Sequence, residues 1–135
     1  MGNGTILVID DEEEQRASMR DTLLLGGFDV LEAADYNEAL TLQAEHLGEI
    51  VLILSDLRLP GGNGYDLSKA LLAVEPRLKL LFTSGHAGAE LCKFLDMPIT
   101  DLHFLEKPFE SSELLKRVRR LLGWTAPLTF ACGQA

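Results

Sequence analysis

Cysteine is scarce in this chain of 135 residues, which holds only Cys92 and Cys132. The two lie far apart and form no Cys-x-x-Cys pair, so neither a thiolate metal site nor a disulfide framework is expected. Long apolar runs are lacking too, because one of the longest, Ile50–Leu54, is far shorter than the roughly 20 residues that span a bilayer. The N-terminus has no secretion signal. These absences indicate a cytoplasmic protein without membrane insertion.

The chain also has few positively charged residues. The chain has 12 Lys and Arg against 21 Asp and Glu, for a net charge of −9. A surface that binds nucleic acid needs a basic patch to neutralise phosphates, so direct nucleic-acid binding is not expected. With 47% apolar and 24% charged residues, the chain can nevertheless bury the core of one domain.

Apolar segments alternate with helical patterns along the chain. Five strands are predicted at Thr5–Ile9, Asp29–Ala33, Ile50–Leu54, Leu78–Thr83 and Leu102–Leu105. Five helices are predicted at Glu13–Leu25, Asp35–Leu47, Gly64–Val74, Ala87–Leu95 and Glu113–Leu122. Regular alternation of strand and helix predicts a doubly wound α/β fold, a parallel sheet with helices on both faces.

Two details of the helices can be predicted as well. In the first helix, the apolar residues Ala17, Leu24 and Leu25 are expected to face the core, with charges opposite. In the second helix, Asp35 is expected to cap the N-terminus while Glu38 reaches back to complete a capping box.

Polar residues follow the carboxyl ends of four predicted strands: Asp10 and Asp11, then Asp56, Ser84 and Lys107. Ligands of parallel sheets bind beyond these ends, so the five side chains are predicted to converge. Each one alone has a plainer interpretation, as a helix cap, a turn residue or a solvated amine. Their joint placement favours a site.

Three carboxylates at one edge of a sheet repel one another, by roughly 4 kcal/mol for a pair about 4 Å apart at an effective dielectric near 20. Lys107 would offset one charge, and a hard divalent cation would offset the rest. Oxygen ligands suit Mg²⁺, which most often accompanies phosphate. From these residues alone, Asp56 can be a cap, a ligand or a nucleophile.

Four segments, IDDEEEQR, LSDLRLPGGNGY, FTSGHA and FLEKPF, resemble in order and spacing the receiver domain of bacterial two-component response regulators. The FTSG variant is similar to receivers joined to hybrid histidine kinases. The resemblance spans about residues 5–122 and implies a flavodoxin-like five-stranded sheet with strand order 2-1-3-4-5.

The resemblance also implies a role for each residue of the predicted site. Asp56 is expected to accept a phosphoryl group from the phosphohistidine of a sensor histidine kinase or histidine phosphotransfer protein, with Lys107 and Ser84 binding the phosphoryl oxygens. Mg²⁺ is expected to be held by Asp10, Asp11, Asp56 and the backbone carbonyl of Arg58.

The family also suggests how the domain switches. Ser84 and Phe104 are expected to move together after phosphorylation, while the side chains of Arg58 and His86 would shield the phosphoryl group from water. Thr83 is the alternative switch hydroxyl, and Ser84 is preferred because the small Gly85 after it leaves room for phosphate. The Lys107–Pro108 bond is expected to be cis.

Residues 1–122 are predicted to form the receiver domain, and residues 123–135 a tail without an output domain. The chain is then a stand-alone receiver of a phosphorelay or part of a longer protein. Its downstream partner would bind the face of the fourth helix, fifth strand and fifth helix, and a homodimer is compatible with this. Catalysis would be limited to its own phosphorylation and slow autodephosphorylation. The alternative is an interaction module that works without phosphorylation, although such modules usually lose an acid or the lysine.

Overall fold

A computed structural model describes residues 4–85 and 103–123. Its main sheet has five parallel strands in the order β2-β1-β3-β6-β7. These strands are β1 (Thr5–Ile9), β2 (Asp29–Ala33), β3 (Ile50–Asp56), β6 (Lys79–Ser84) and β7 (Phe104–Glu106). Two short strands, β4 (Arg58–Leu59) and β5 (Gly62–Asn63), form a separate antiparallel pair. Without that pair, the order is the predicted 2-1-3-4-5.

Four helices belong to the described part of the chain: α1 (Glu13–Leu25), α2 (Tyr36–Glu45), α3 (Gly64–Val74) and α4 (Ser111–Leu121). The bounds of α1 and α3 agree with the prediction. The predicted helix Ala87–Leu95 lies outside the described residues. No helix within 4–85 and 103–123 is long and apolar enough to cross a bilayer.

Side-chain caps explain where two helices begin. Asp35 caps α2, accepting a hydrogen bond of 2.8 Å from the Glu38 N–H. Glu38 Oε1 accepts from the Ala34 N–H at 2.7 Å, so the returning bond of the capping box is displaced by one residue. Helix α4 begins two residues earlier than predicted because Glu110 serves as its cap and donates its N–H to Glu113 Oε1 at 2.9 Å.

The core consists of two clusters, one on each face of the sheet. Helices α2 and α3 cover the first face, where the buried side chains include Leu7, Ile53, Leu67, Phe82 and Phe104. Helices α1 and α4 cover the second face, with Val8, Leu54, Leu81, Leu105 and Leu114. Because side chains alternate along each strand, neighbouring residues such as Leu81 and Phe82 enter different clusters.

The predicted core face of α1 was wrong. Met19 and Leu23, one helical turn apart, are the side chains that pack against the sheet. Leu24 and Leu25 are 49% and 89% exposed, because the next residues along a helix turn away from the face that Leu23 occupies. Ala17 is half-buried.

Candidate functional site

The carboxyl ends of β1, β3 and β6 lie level with one another at one edge of the sheet. Register pairs Ile9 with Ser55 and Asp56 with Thr83. The sheet therefore brings Asp10 and Asp56 together, as the sequence predicted. Ser84 ends β6 at the same edge, and Lys107 follows β7 there.

Asp10, Asp11 and Asp56 form a carboxylate cluster at this edge. One oxygen from each lies within 4.8 Å of the others. Asp10 is fully buried, Asp56 is half-buried and Asp11 is exposed. Burial raises the pKa of Asp10 from its ordinary value of 3.8, although the Glu12 N–H, 2.9 Å from Oδ1, and the charge of Lys107 act against the rise.

Lys107 brings a positive charge to the carboxylate cluster. Its Nζ lies 3.1 Å from Asp56 Oδ2, 3.4 Å from Asp10 Oδ2 and 2.7 Å from Gln15 Oε1. Burial alone would lower the pKa of Lys107, but the hydrogen bond and charge of Asp56, together with Asp10, more than offset it and leave the pKa raised above 10.5. The Lys107–Pro108 peptide bond is cis, as expected. The Lys107 N–H donates to the Ser84 carbonyl at 2.8 Å, which ties this turn to β6.

The loop after Asp56 packs closely around it. The Arg58 N–H donates to Asp56 Oδ1 at 3.2 Å, and Ser55 Oγ donates to the Asp56 carbonyl at 2.8 Å. The Gly64 N–H donates to the Leu57 carbonyl at 2.9 Å, which draws the start of α3 back to the strand end. A Cβ at Gly64 would clash with the Asp56 carbonyl oxygen and lie 2.9 Å from Ser55 Oγ.

The predicted switch residues lie on the two strands beyond β3, with Ser84 at the end of β6 and Phe104 at the start of β7. Ser84 is 2% exposed and Phe104 is 8% exposed, so both are already buried in the unmodified chain. The Phe104 ring packs against Phe82, with ring centroids 5.6 Å apart. Of the predicted shielding residues, Arg58 has an exposed side chain and His86 lies outside the described residues.

The donor set fits a hard divalent cation. The three carboxylates supply only oxygen ligands, the preference of Mg²⁺. The buried Asp10 has one nearby ammonium group, which it shares with Asp56. The acidic cluster Asp10, Asp11 and Asp56 could therefore hold a metal ion at the end of β1 and β3.

Two contributors were missed in the sequence. Gln15, in the first turn of α1, accepts a hydrogen bond from Lys107. The only sequence signal for this contact was the position of Gln15, four residues after Asp11. Gly64 was predicted to belong to a tight loop that lets backbone approach the metal, but its close packing on Asp56 was not foreseen: its missing side chain lets α3 approach that residue. Contacts of this kind depend on the angle at which a helix meets the sheet, which the pattern of residue types does not specify.

The family model for the response regulator receiver domain matches residues 6–119. This chain belongs to that family. The match covers the whole described sheet apart from the first residue of β1, together with all four described helices except the last residues of α4. The predicted resemblance is therefore confirmed.

Relatives of the receiver family carry the domain in different settings. The C4-dicarboxylate transport transcriptional regulatory protein DctD of Rhizobium meliloti is 34% identical over 119 residues, 86% of this chain and 25% of its own. The sensor kinase CckA of Brucella abortus is 32% identical over 121 residues, 90% of this chain and 13% of its own. This chain thus spans a quarter or less of either relative. A crystal structure of the receiver domain from the hybrid histidine kinase CckA matches with a TM-score of 0.73 and 34% identity, covering 88% of this chain and 99% of that one.

Proposed function

We propose that this receiver accepts a phosphoryl group on Asp56 from a phosphohistidine. The observation that carries the proposal is the setting of Asp56, which is half-buried at the sheet edge, 3.1 Å from the Lys107 ammonium and beside two further carboxylates. A carboxylate in this position is accessible to a phosphoryl donor that approaches from solvent. The Lys107 ammonium is already placed to stabilise the negative charge of the incoming phosphoryl group.

In the transfer, an Asp56 carboxylate oxygen attacks phosphorus and forms a P–O bond. The P–N bond to the donor imidazole breaks in line, and the imidazole nitrogen keeps the bonding pair. A small acyl phosphate would react in the same way, with its P–O bond breaking instead. Lys107 stabilises the negative charge on the phosphoryl oxygens, and the Arg58 N–H holds the Asp56 carboxyl in place.

Asp10, Asp11 and Asp56 would hold Mg²⁺, together with the backbone carbonyl of Arg58. When bound, Mg²⁺ neutralises charge on the transferred group and on the clustered carboxylates. The burial of Asp10, which raises its pKa, supports this, because an added positive charge would stabilise its ionised form.

Phosphorylation of Asp56 would change the conformation of residues on β6 and β7. Ser84 would hydrogen-bond a phosphoryl oxygen, and Phe104 would respond by shifting its packing against Phe82. Arg58 and His86 would limit the access of water to the phosphoryl group. The partner surface would combine β7 and α4 with the predicted helix in the region that is not described, and two-state switching there would change partner binding.

The biological setting inferred for the chain is a cytoplasmic phosphorelay. A sensor histidine kinase or histidine phosphotransfer protein would donate the phosphoryl group, and a downstream protein or a second copy of the chain would bind the switched face. Residues 1–122 would be the receiver, with 123–135 a tail. The domain's own catalysis would be limited to its phosphorylation and slow autodephosphorylation.

Intact-mass spectrometry after incubation with acetyl phosphate tests the proposal. One phosphoryl adduct is expected, it should require Mg²⁺, and Asp56→Asn should abolish it. Absence of the adduct from the unsubstituted chain, together with failure to bind beryllofluoride, would contradict the proposal. The chain would then be a receiver-like interaction module that acts without phosphorylation.

A further inference from the structure

The hydroxyl of Thr83 lies beneath the candidate site without a hydrogen-bond partner. Thr83 is fully buried, and its Oγ1 neither donates nor accepts a hydrogen bond among the described residues. A buried hydroxyl without a partner costs folding free energy, whereas valine in the same place would avoid that cost. Such a group is a candidate for use in another state of the molecule.

Strand alternation places Thr83 on the side of the sheet that Asp56 faces. The two are register partners on the neighbouring parallel strands β6 and β3, and such partners present their side chains to the same face. Leu54 and Leu81, two residues earlier on each strand, both pack on the α1 and α4 side, which identifies that face.

Lys107 reaches Asp56 across the end of the strand that carries Thr83. Lys107 follows β7, Asp56 ends β3, and β6 lies between these strands. The ammonium has three donors. They match the three acceptors within reach, which are Asp56 Oδ2, Asp10 Oδ2 and Gln15 Oε1. Thr83 therefore lies beneath the path of Lys107 but receives none of its hydrogen bonds.

Among the described residues, the Asp56 carboxyl has two donors, Lys107 Nζ on Oδ2 and the Arg58 N–H on Oδ1. A phosphoryl group on Asp56 would carry more negative charge than the acyl oxygen, so it would draw Lys107 toward itself. Even with Mg²⁺ bound to Asp56, the acyl oxygen has a second lone pair, and that lone pair would then lose its ammonium donor. Among the described residues, the unpartnered hydroxyl of Thr83 lies on the adjacent strand and on the same face, where it would replace that donor.

We infer that the Thr83 hydroxyl donates a hydrogen bond to the Asp56 carboxyl in the phosphorylated chain. It forms this bond when Lys107 moves from the carboxyl to the phosphoryl group. The inference rests on the proposed function, because it requires a loaded Asp56. In the unmodified chain the unused hydroxyl raises the free energy of the folded state. In the loaded chain its new hydrogen bond lowers that free energy, so Thr83 biases the domain toward the phosphorylated state.

Two variants separate the effect of the Thr83 hydroxyl from the effect of its side-chain shape. Thr83→Val removes the hydroxyl and keeps the branched outline, while Thr83→Ser keeps the hydroxyl and removes a methyl group. For each, the Tm of the unmodified chain is measured, followed by the apparent Kd for beryllofluoride, a phosphoryl mimic, with Mg²⁺ present. We expect Thr83→Val to have a Tm equal to or above that of the unsubstituted chain and to bind beryllofluoride about fivefold more weakly. Thr83→Ser should bind within about twofold of the unsubstituted chain.

Equal beryllofluoride affinity in Thr83→Val and the unsubstituted chain would overturn the inference. A lower Tm of unmodified Thr83→Val would overturn it as well, because the hydroxyl would then already have a partner such as an ordered water. Weak binding by Thr83→Ser would assign the effect to packing and reject the hydroxyl. If the unsubstituted chain itself bound no beryllofluoride, the proposed function would fail first, and the inference with it.

Discussion

Lys107 Nζ lies 3.1 Å from Asp56 Oδ2, although the two residues are 51 positions apart and their strands, β7 and β3, are not neighbours in the sheet. The lysine crosses the end of β6 and also approaches the buried Asp10. One ammonium group therefore partly neutralises two carboxylates that the fold forces together. The positive charge of Lys107 therefore competes with any metal cation for these carboxylates.

Removing that charge should strengthen Mg²⁺ binding. Lys107→Met leaves the cluster of Asp10, Asp11 and Asp56 with no ammonium among its hydrogen-bonded neighbours, so the apparent Kd for Mg²⁺ should fall by about threefold to tenfold. The same variant should accept a phosphoryl group more slowly, because it lacks the cation for the phosphoryl oxygens. Isothermal titration calorimetry measures the first effect and intact-mass time courses the second.

Lys79→Met is the matched control for this experiment. Lys79 is exposed at the opposite end of β6, so the same loss of charge should leave Mg²⁺ affinity unchanged. Weaker or unaltered Mg²⁺ binding by Lys107→Met would show that the lysine does not compete with a cation at these carboxylates.

The space at Gly64 is predicted to be essential for the strand end that carries Asp56. Gly64→Ala would push a methyl group against the Asp56 carbonyl and Ser55 Oγ, and should lower the free energy of unfolding by about 1–3 kcal/mol. At Gly85 an added Cβ meets no atom of the described residues within 4 Å, so Gly85→Ala should change stability by no more than about 0.5 kcal/mol. Urea unfolding of both variants makes the comparison, and equal losses would contradict the packing described for Gly64.

Glu32 should contribute to stability in a pH-dependent way. Its carboxylate oxygens lie 3.0 Å from Arg16 Nε and 3.0 Å from Arg20 Nη1. Burial on its own would raise the pKa of Glu32, but the hydrogen bonds and charges of Arg20 and Arg16 more than offset it and hold the pKa below 4.5. A lowered pKa means that the stabilisation is present above the unfolded-state value and is lost as the pH falls through the folded-state value.

Urea unfolding across a pH series tests this expectation. Glu32→Gln should be less stable than the unsubstituted chain at neutral pH, and the difference should shrink as the pH falls below 4.5. Glu45→Gln, at an exposed position on α2, serves as the control. A difference between Glu32→Gln and the unsubstituted chain that stays constant with pH would mean that the arginine pairs do not shift this carboxyl.

The sequence predicted the fold well where the signals are local. Apolar runs located the strands, and Asp35 marked the start of α2 because a cap bonds residues close to it in the chain. The face of α1 was misjudged, since counting apolar residues favoured Leu24 and Leu25 over Met19 and Leu23, which lie one turn apart. Spacing along a helix, more than apolar content, decides which side is buried.

For the site, the parallel sheet made the outcome predictable. Strand ends fall at one edge, so Asp10, Asp56 and Lys107 could be placed together without knowing any distance. The sequence carries only a weak signal for the Gln15 contact with Lys107, and none for the lack of a partner of Thr83 among the described residues. Both depend on how side chains from different elements share hydrogen bonds, which only the assembled structure determines.

Chemical trapping of the phosphorylated residue tests the central claim most directly. The chain is incubated with acetyl phosphate and Mg²⁺, reduced with borohydride, which converts an aspartyl phosphate to homoserine, and mapped by peptide mass spectrometry. We expect homoserine at position 56 and no conversion at Asp10 or Asp11. Homoserine at either of those residues, or a phosphoryl group on a side chain that resists reduction, would contradict the assignment of Asp56 as the acceptor.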